Sequence, residues 1–192
     1  FLPSWNGNLA DDLDPSGESV LNGLKFSNHD FDDDGNMYYA ESENYGNWMN
    51  GGYVFSQRGI HIIKIDTNQQ VEYSEVIPCS NYCNNPDYAY SKVVGMRVVD
   101  EDRFYITIST YNTYLTFDGS TYGGSQNRLF TAFYDSGTWS WVDVESIQSG
   151  YGYQAIKYIQ LDDSDNLYVV KSEGVAGNWI EYSITSYSPN GT

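Results

Sequence analysis

Residues 162–170 read Asp162-Asp163-Ser164-Asp165-Asn166-Leu167-Tyr168-Val169-Val170, and residues 32–39 read Asp32-Asp33-Asp34-Gly35-Asn36-Met37-Tyr38-Tyr39. Each runs an acidic turn straight into a short aromatic or aliphatic strand. Asp, Asn and Gly suit tight turns, whereas Tyr, Val, Ile and Phe suit a pleated, packed surface. A third stretch, Asp100-Glu101-Asp102-Arg103-Phe104-Tyr105-Ile106, keeps the order but lacks the Gly-Asn. Tyr38, Tyr105 and Tyr168 align across the three, at separations of 67 and 63 residues.

A second strand is expected after each of these: Ile60–Asp66, Arg128–Asp135 and Asn178–Ile184. Turns at Asp66 and Asp135 then lead into further strands at Gln70–Tyr73 and Thr138–Val142. The repeat is about 65 residues long, with three or four antiparallel strands in each unit. We read residues 1–23 as a loop, with a strand that completes an adjacent unit. Residues 24–91 and 92–153 form units one and two, and residues 154–192 form a partial third. Trp141–Ser149 is the least poor helical segment, but it is short and rich in β-branched residues, so the reading is all-β. A unit of this kind cannot bury both faces of its sheet alone, and stacking on neighbours solves that. Two architectures compete: four-stranded units arranged as propeller blades, and a β-sandwich. Three units do not close a propeller. A propeller reading therefore expects a longer chain or an assembly of several chains.

The stretches Phe31–Ser42 and Leu161–Ser172 resemble the "D-x-x-G-N-hydrophobic-Y-V" core of β-propeller repeats in secreted and surface proteins. Arg58–Pro78 is similar to the outer strand pair of such blades. The resemblance covers roughly residues 26–187 and implies a blade-like fold. That group contains binding scaffolds, adhesins, structural repeats and enzymes, so it implies no single activity. Asp135-Ser136-Gly137-Thr138-Trp139 is similar to the Asp-box hairpin of sialidase-type propellers but is one residue short between Gly and Thr. The competing reading there is an ordinary turn.

Charge narrows the partners. The 192 residues carry 9 Lys+Arg against 26 Asp+Glu, a net charge of -17. The basic residues are scattered singly, so a nucleic-acid backbone or an anionic membrane would be repelled. No apolar run is long enough for a membrane span. The acidic, Tyr-, Gly-, Asn- and Ser-rich composition points to an extracellular or cell-surface setting. The start at Phe1 suits a processed protein, a proteolytic piece or part of a longer chain. Cys79 and Cys83 predict a local disulfide in that compartment, with two free thiols as the alternative. Asn190-Gly191-Thr192 is an N-glycosylation sequon at Asn190.

One stretch fits a metal motif. Asp30-Phe31-Asp32-Asp33-Asp34-Gly35-Asn36 and onward to Glu41 matches the calcium-loop pattern D-x-D-x-[DN]-G-x5-E. Asp30, Asp32 and Asp34 would supply carboxylates, Asn36 its carbonyl, Gly35 the sharp turn and Glu41 the closing carboxylate. Against this, Met37-Tyr38-Tyr39 reads as strand, which sends alternate side chains to opposite faces and strains the Glu41 contribution. Calcium (Ca2+) on the turn therefore stands beside a second reading, a solvated acidic hairpin.

Nothing in the sequence singles out a catalytic group. His29 and His61 are the only histidines, and no nucleophile elbow or phosphate loop is present. Loop acids such as Asp87, Asp118 and Glu173 do not stand out as a glycosidase pair. Loop aromatics are more suggestive: Tyr45, Trp48 and Tyr53 in one loop, Tyr111, Tyr114 and Tyr122 in another. Aromatics beside Asn and Asp serve sugar and protein recognition. The leading expectation is a non-enzymatic structural or assembly subunit, joined to protein partners or copies of itself through exposed strand edges. A carbohydrate- or protein-binding module is the second reading, and a glycan-processing propeller enzyme the third.

Overall fold

A computed structural model of the chain describes residues 28–43, 58–80, 84–85, 89–124, 128–146, 155–175 and 179–191. Every regular element among them is a strand. The first sheet is a meander of β1 (His29–Phe31), β2 (Met37–Glu43), β3 (Gly59–Ile65) and β4 (Val71–Pro78), paired in that order. The second contains β5 (Asn84–Asn85), β6 (Ala89–Asp100), β7 (Arg103–Tyr111), β10 (Arg128–Asp135) and β11 (Thr138–Ser146), in the order β11-β10-β7-β6-β5. Between β7 and β10 the chain makes a separate hairpin of β8 (Thr113–Phe117) and β9 (Ser120–Gly124). The third sheet is β12 (Ala155–Leu161), β13 (Leu167–Val175) and β14 (Trp179–Tyr187). All named pairings are antiparallel. The chain is therefore all-β, with sheets of four, five and three strands rather than uniform four-stranded units. The junction expected at residues 91 and 92 falls inside β6.

Three turns share one construction. Asp32, Asp66 and Asp162 each donate their own N–H to the carbonyl of the residue four positions on, at 3.1, 2.9 and 3.0 Å. Their carboxylates accept the backbone N–H of that same residue, Asn36, Gln70 or Asn166, at 2.8, 2.6 and 2.9 Å. The intervening residue that bonds back to the Asp carbonyl sits in the left-handed region: Gly35 at φ 83°, Gln69 at 68° and Asp165 at 63°. This is a three-residue hairpin loop locked by an Asp side chain, and Asp earns its place because only a short acceptor reaches that N–H. The Asp100 turn is different: its register closes directly from Asp100 to Arg103, with Asp102 left-handed at 59°. Ser136-Gly137 and Asp118-Gly119 are two-residue turns with both central residues at positive φ, the favoured hairpin geometry. The Asp135 segment is thus an ordinary turn between β10 and β11.

Burial patterns rank the sheets. In β10, residues Leu129 to Tyr134 are all buried, as expected where both faces of a sheet are covered. In β13, Leu167, Val169 and Lys171 are buried while Tyr168 is exposed and Val170 half-buried. That alternation marks a sheet covered on one side. β3 of the first sheet is likewise buried on both faces from Gly59 to Lys64, and the packing partners place the second sheet as the middle layer between the first and the third. Its Phe104, Ile106, Ile108, Phe130, Ala132 and Tyr134 pack against Tyr38, Ala40, Ile60, Ile62 and Ile77 of the first sheet. Its opposite face, with Tyr105, Leu129 and Phe133, packs against Ile159, Leu167, Val169 and Tyr187 of the third.

Candidate assembly face

The repeat position singled out by sequence has a definite job. Tyr38 is completely buried, and its phenolic oxygen accepts the N–H of Asp102, the left-handed residue of the next unit's turn, at 2.9 Å. Tyr105 is also completely buried, and its hydroxyl donates to the carbonyl of Asp165, the left-handed residue of the following turn, at 2.8 Å. Each tyrosine lies three residues after the left-handed residue of its own turn. From there it reaches across a sheet interface to the equivalent residue of the succeeding turn. A buried hydroxyl needs a partner, and an unpaired turn N–H or C=O is ready to hand. Burial raises the pKa of both phenols, and for Tyr105 nearby Asp165 and Asp162 add to the effect.

Each interface also carries one buried lysine. Lys64 on β3 sits beside Tyr38 and reaches Glu101 at 3.0 Å, Glu72 at 3.3 Å and Asp102 at 3.8 Å. Burial alone would lower its pKa, but the hydrogen bond to Glu101 and the surrounding negative groups reverse the direction, and the net shift is upward. Lys171 on β13 reaches Glu145 on β11 at 2.6 and 2.5 Å. The Tyr187 hydroxyl lies 2.9 Å from Glu145 and 3.0 Å from Asp143, and burial followed by those two carboxylates raises its pKa. These lysines clamp one sheet to the next.

Tyr168 occupies the same repeat position in the third sheet, and it is 37% exposed. Cross-strand register places Val170 opposite Ile184 and Ser172 opposite Tyr182, so Tyr168, Val170, Tyr182 and Ile184 share one face. Tyr182 is 66% and Ile184 68% exposed. This is the face that is buried in the first and second sheets. Sequence reading aligned Tyr168 but missed Tyr182 and Ile184. Their signal was present: β14 carries apolar residues on both faces, Tyr187 inward and Tyr182 and Ile184 outward, which a one-sided sheet does not need.

Four of the five expected calcium ligands, Asp30, Asp32, Asn36 and Glu41, make hydrogen bonds within the chain. The Asp32 carboxylate holds Asn36 through its backbone N–H and its Nδ2, at 2.8 and 2.9 Å. Asp30 accepts the backbone N–H of Val98 across the interface, at 2.9 Å. The Asn36 carbonyl accepts the Asp32 N–H, Glu41 on β2 is hydrogen-bonded to the Tyr39 hydroxyl, and Asp34 is exposed. Among the described residues no three His, Cys, Asp or Glu side chains converge as a metal site.

Tyr111 ends β7 and Tyr114 lies in β8, both exposed and flanking left-handed Asn112. Tyr114 and Tyr122 are strand residues rather than loop residues; the Asp118-Gly119 turn makes a hairpin of what looked irregular. Ser80 fixes this hairpin by accepting from Thr113 and donating its N–H to the Tyr114 carbonyl, at 2.8 and 2.9 Å. Tyr45, Trp48 and Tyr53 lie outside the described residues. Cys79 is disulfide-bonded, and Cys83 lies outside them too. Asn190 is exposed in the turn after β14.

Compared with known proteins, the chain matches no protein-family model and has no significant match among curated proteins.

Proposed function

We propose that this protein is a non-enzymatic structural module whose blade-like β units stack face to face, and that its work is assembly. The observation that supports this most is the recurring tyrosine contact. Tyr38 and Tyr105 join successive units through the same backbone position, so the chain uses a transferable interface twice. Three sheets in series favour repeat units over a two-sheet sandwich. An extracellular setting belongs to the proposal: a disulfide at Cys79 suits an oxidising compartment, and Asn190 is exposed for glycan attachment.

Sedimentation over a wide concentration range tests the reading. Reversible association is expected, and it should strengthen with added salt, because copies of charge -17 repel one another until screened. A monodisperse monomer at every concentration and salt would contradict it. Melting in calcium and in EDTA tests the calcium expectation separately. A second reading rests on Tyr111 and Tyr114, two exposed aromatics around Asn112, as a sugar- or peptide-contacting surface. Binding to a glycan array that is lost in the Tyr111→Ala, Tyr114→Ala double variant would favour it.

A further inference from the structure

The interface between the first and second sheets is polar at both ends of an apolar middle. At the turn end, the Tyr38 hydroxyl accepts the N–H of Asp102 at 2.9 Å. At the far end stand three buried hydroxyls: Ser42 near the end of β2, Ser91 near the start of β6 and Thr110 near the end of β7. Ser42 Oγ lies 3.0 Å from Ser91 Oγ, across the interface. Thr110 is directly opposite Ser91 in the cross-strand register, so both side chains share the face turned to the first sheet, with Cβ atoms about 5 Å apart.

Thr110 is completely buried, and among the described residues its Oγ1 has no hydrogen-bond partner. Its neighbour on the other side, Arg128 of β10, turns its guanidinium to the Ser146 hydroxyl instead. The hydroxyl of nearby Thr113 is directed to the Ser80 carbonyl. A hydroxyl shut away from water and left unpaired destabilises the fold, which is why buried hydroxyls are nearly always paired, with protein or with ordered water.

We infer that one internal water molecule sits at this corner of the interface, accepts the Thr110 hydroxyl proton and joins Thr110 to the Ser42–Ser91 pair. The chemistry of the corner selects the ligand. Three neutral hydroxyls supply neither the carboxylates that a hard cation needs nor the charged N–H donors that suit an anion. Each hydroxyl donates once and accepts twice, so the three provide the two to four contacts that hold an internal water. The same corner lined by aliphatic groups would stay dry. The first interface is then joined by a direct contact at its turn end and by a water-mediated one at its far end. Because the water is enclosed between two sheets, it leaves only when they part, and its residence time reports how often the interface opens.

Water-oxygen magnetic relaxation dispersion tests this, because it counts waters held for longer than the protein takes to tumble. Thr110→Val removes the hydroxyl at nearly constant volume, and Thr110→Ser keeps it. Circular dichroism melting verifies that each variant folds; should Thr110→Val fail, Ser91→Ala takes its place with the same expectation. Relative to the parent, Thr110→Val should lose about one long-lived water and Thr110→Ser none. An unchanged count in Thr110→Val overturns the inference. A loss of the same size in Thr110→Ser also overturns it, because the water would then depend on packing and not on the hydroxyl.

Discussion

The interface between the first and second sheets and the one between the second and third begin from the same tyrosine contact and are then filled differently. The first is wide and aromatic: Phe104 stacks on Tyr134 at 4.8 Å between ring centres and meets Tyr38 at 5.9 Å and Trp139 at 6.0 Å. The second is narrower. It has rings of its own, Tyr105 against Phe133 at 4.6 Å and Trp141 stacked on Tyr187 at 5.5 Å, but far fewer buried aliphatic residues, and it adds a close approach of Gly95 to Ile159. The lesson is that the backbone-directed contact sets how units stack, while the filling sets how strongly. Predictions that separate the two should therefore act unequally.

The largest effect is expected at the first interface. Phe104→Ala removes a fully buried ring and should cost about 3–5 kcal/mol in chemical denaturation. A cost under about 1 kcal/mol would mean that the aromatic cluster is not a core.

Gly95→Val attacks only the second interface. A Cβ there would stand 2.0 Å from Ile159 Cδ1, so a cost of about 1–3 kcal/mol is expected, offset in part by Ile159→Ala. Strict additivity of the two substitutions would break the assignment.

Alkali should also discriminate. Tyr105 and Tyr187 have raised folded-state pKa values, from burial first and then from neighbouring carboxylates. A raised phenol keeps its proton when folded and gives it up near pH 10 when unfolded. Its stabilisation is therefore complete below pH 10 and falls above it, by about 1.4 kcal/mol per pH unit for each tyrosine. Two such groups belong to the second interface and only Tyr38 to the first, so hydrogen exchange should quicken in β13 and β14 before β2 and β3. The reverse order would contradict the comparison.

The smallest effect is the contact itself. Tyr38→Phe and Tyr105→Phe each delete one hydrogen bond and leave a turn N–H or C=O without its partner, for about 1 kcal/mol apiece. A similar loss at both sites, despite unlike filling, is what a shared joint requires.

Much of this was legible in the chain. The Asp-rich turns and the spacing of Tyr38, Tyr105 and Tyr168 are local signals, and local signals survive in a single sequence. Asp66-Thr67-Asn68-Gln69-Gln70 forms the same locked turn as Asp32 and Asp162 with Gln70 in place of their closing Asn, because the Asp carboxylate and one left-handed residue suffice. The calcium motif does not show that Asp32 serves the turn and Asp30 the neighbouring sheet. A motif states which oxygens are close in sequence, not which N–H groups arrive from elsewhere, as that of Val98 does at Asp30. Which face of each sheet meets the next was likewise hidden, since alternate residues in β10 are apolar on both sides. Burial of both faces erases the period that would have told them apart.

The central claim is that one repeat position is closed in two sheets and open in the third. Hydroxyl-radical footprinting read by mass spectrometry, at a concentration where the chain is monomeric, measures it directly. Tyr168 should label as an accessible phenol while Tyr38 and Tyr105 stay protected. Equal labelling of the three, or a protected Tyr168 in the monomer, would contradict the account.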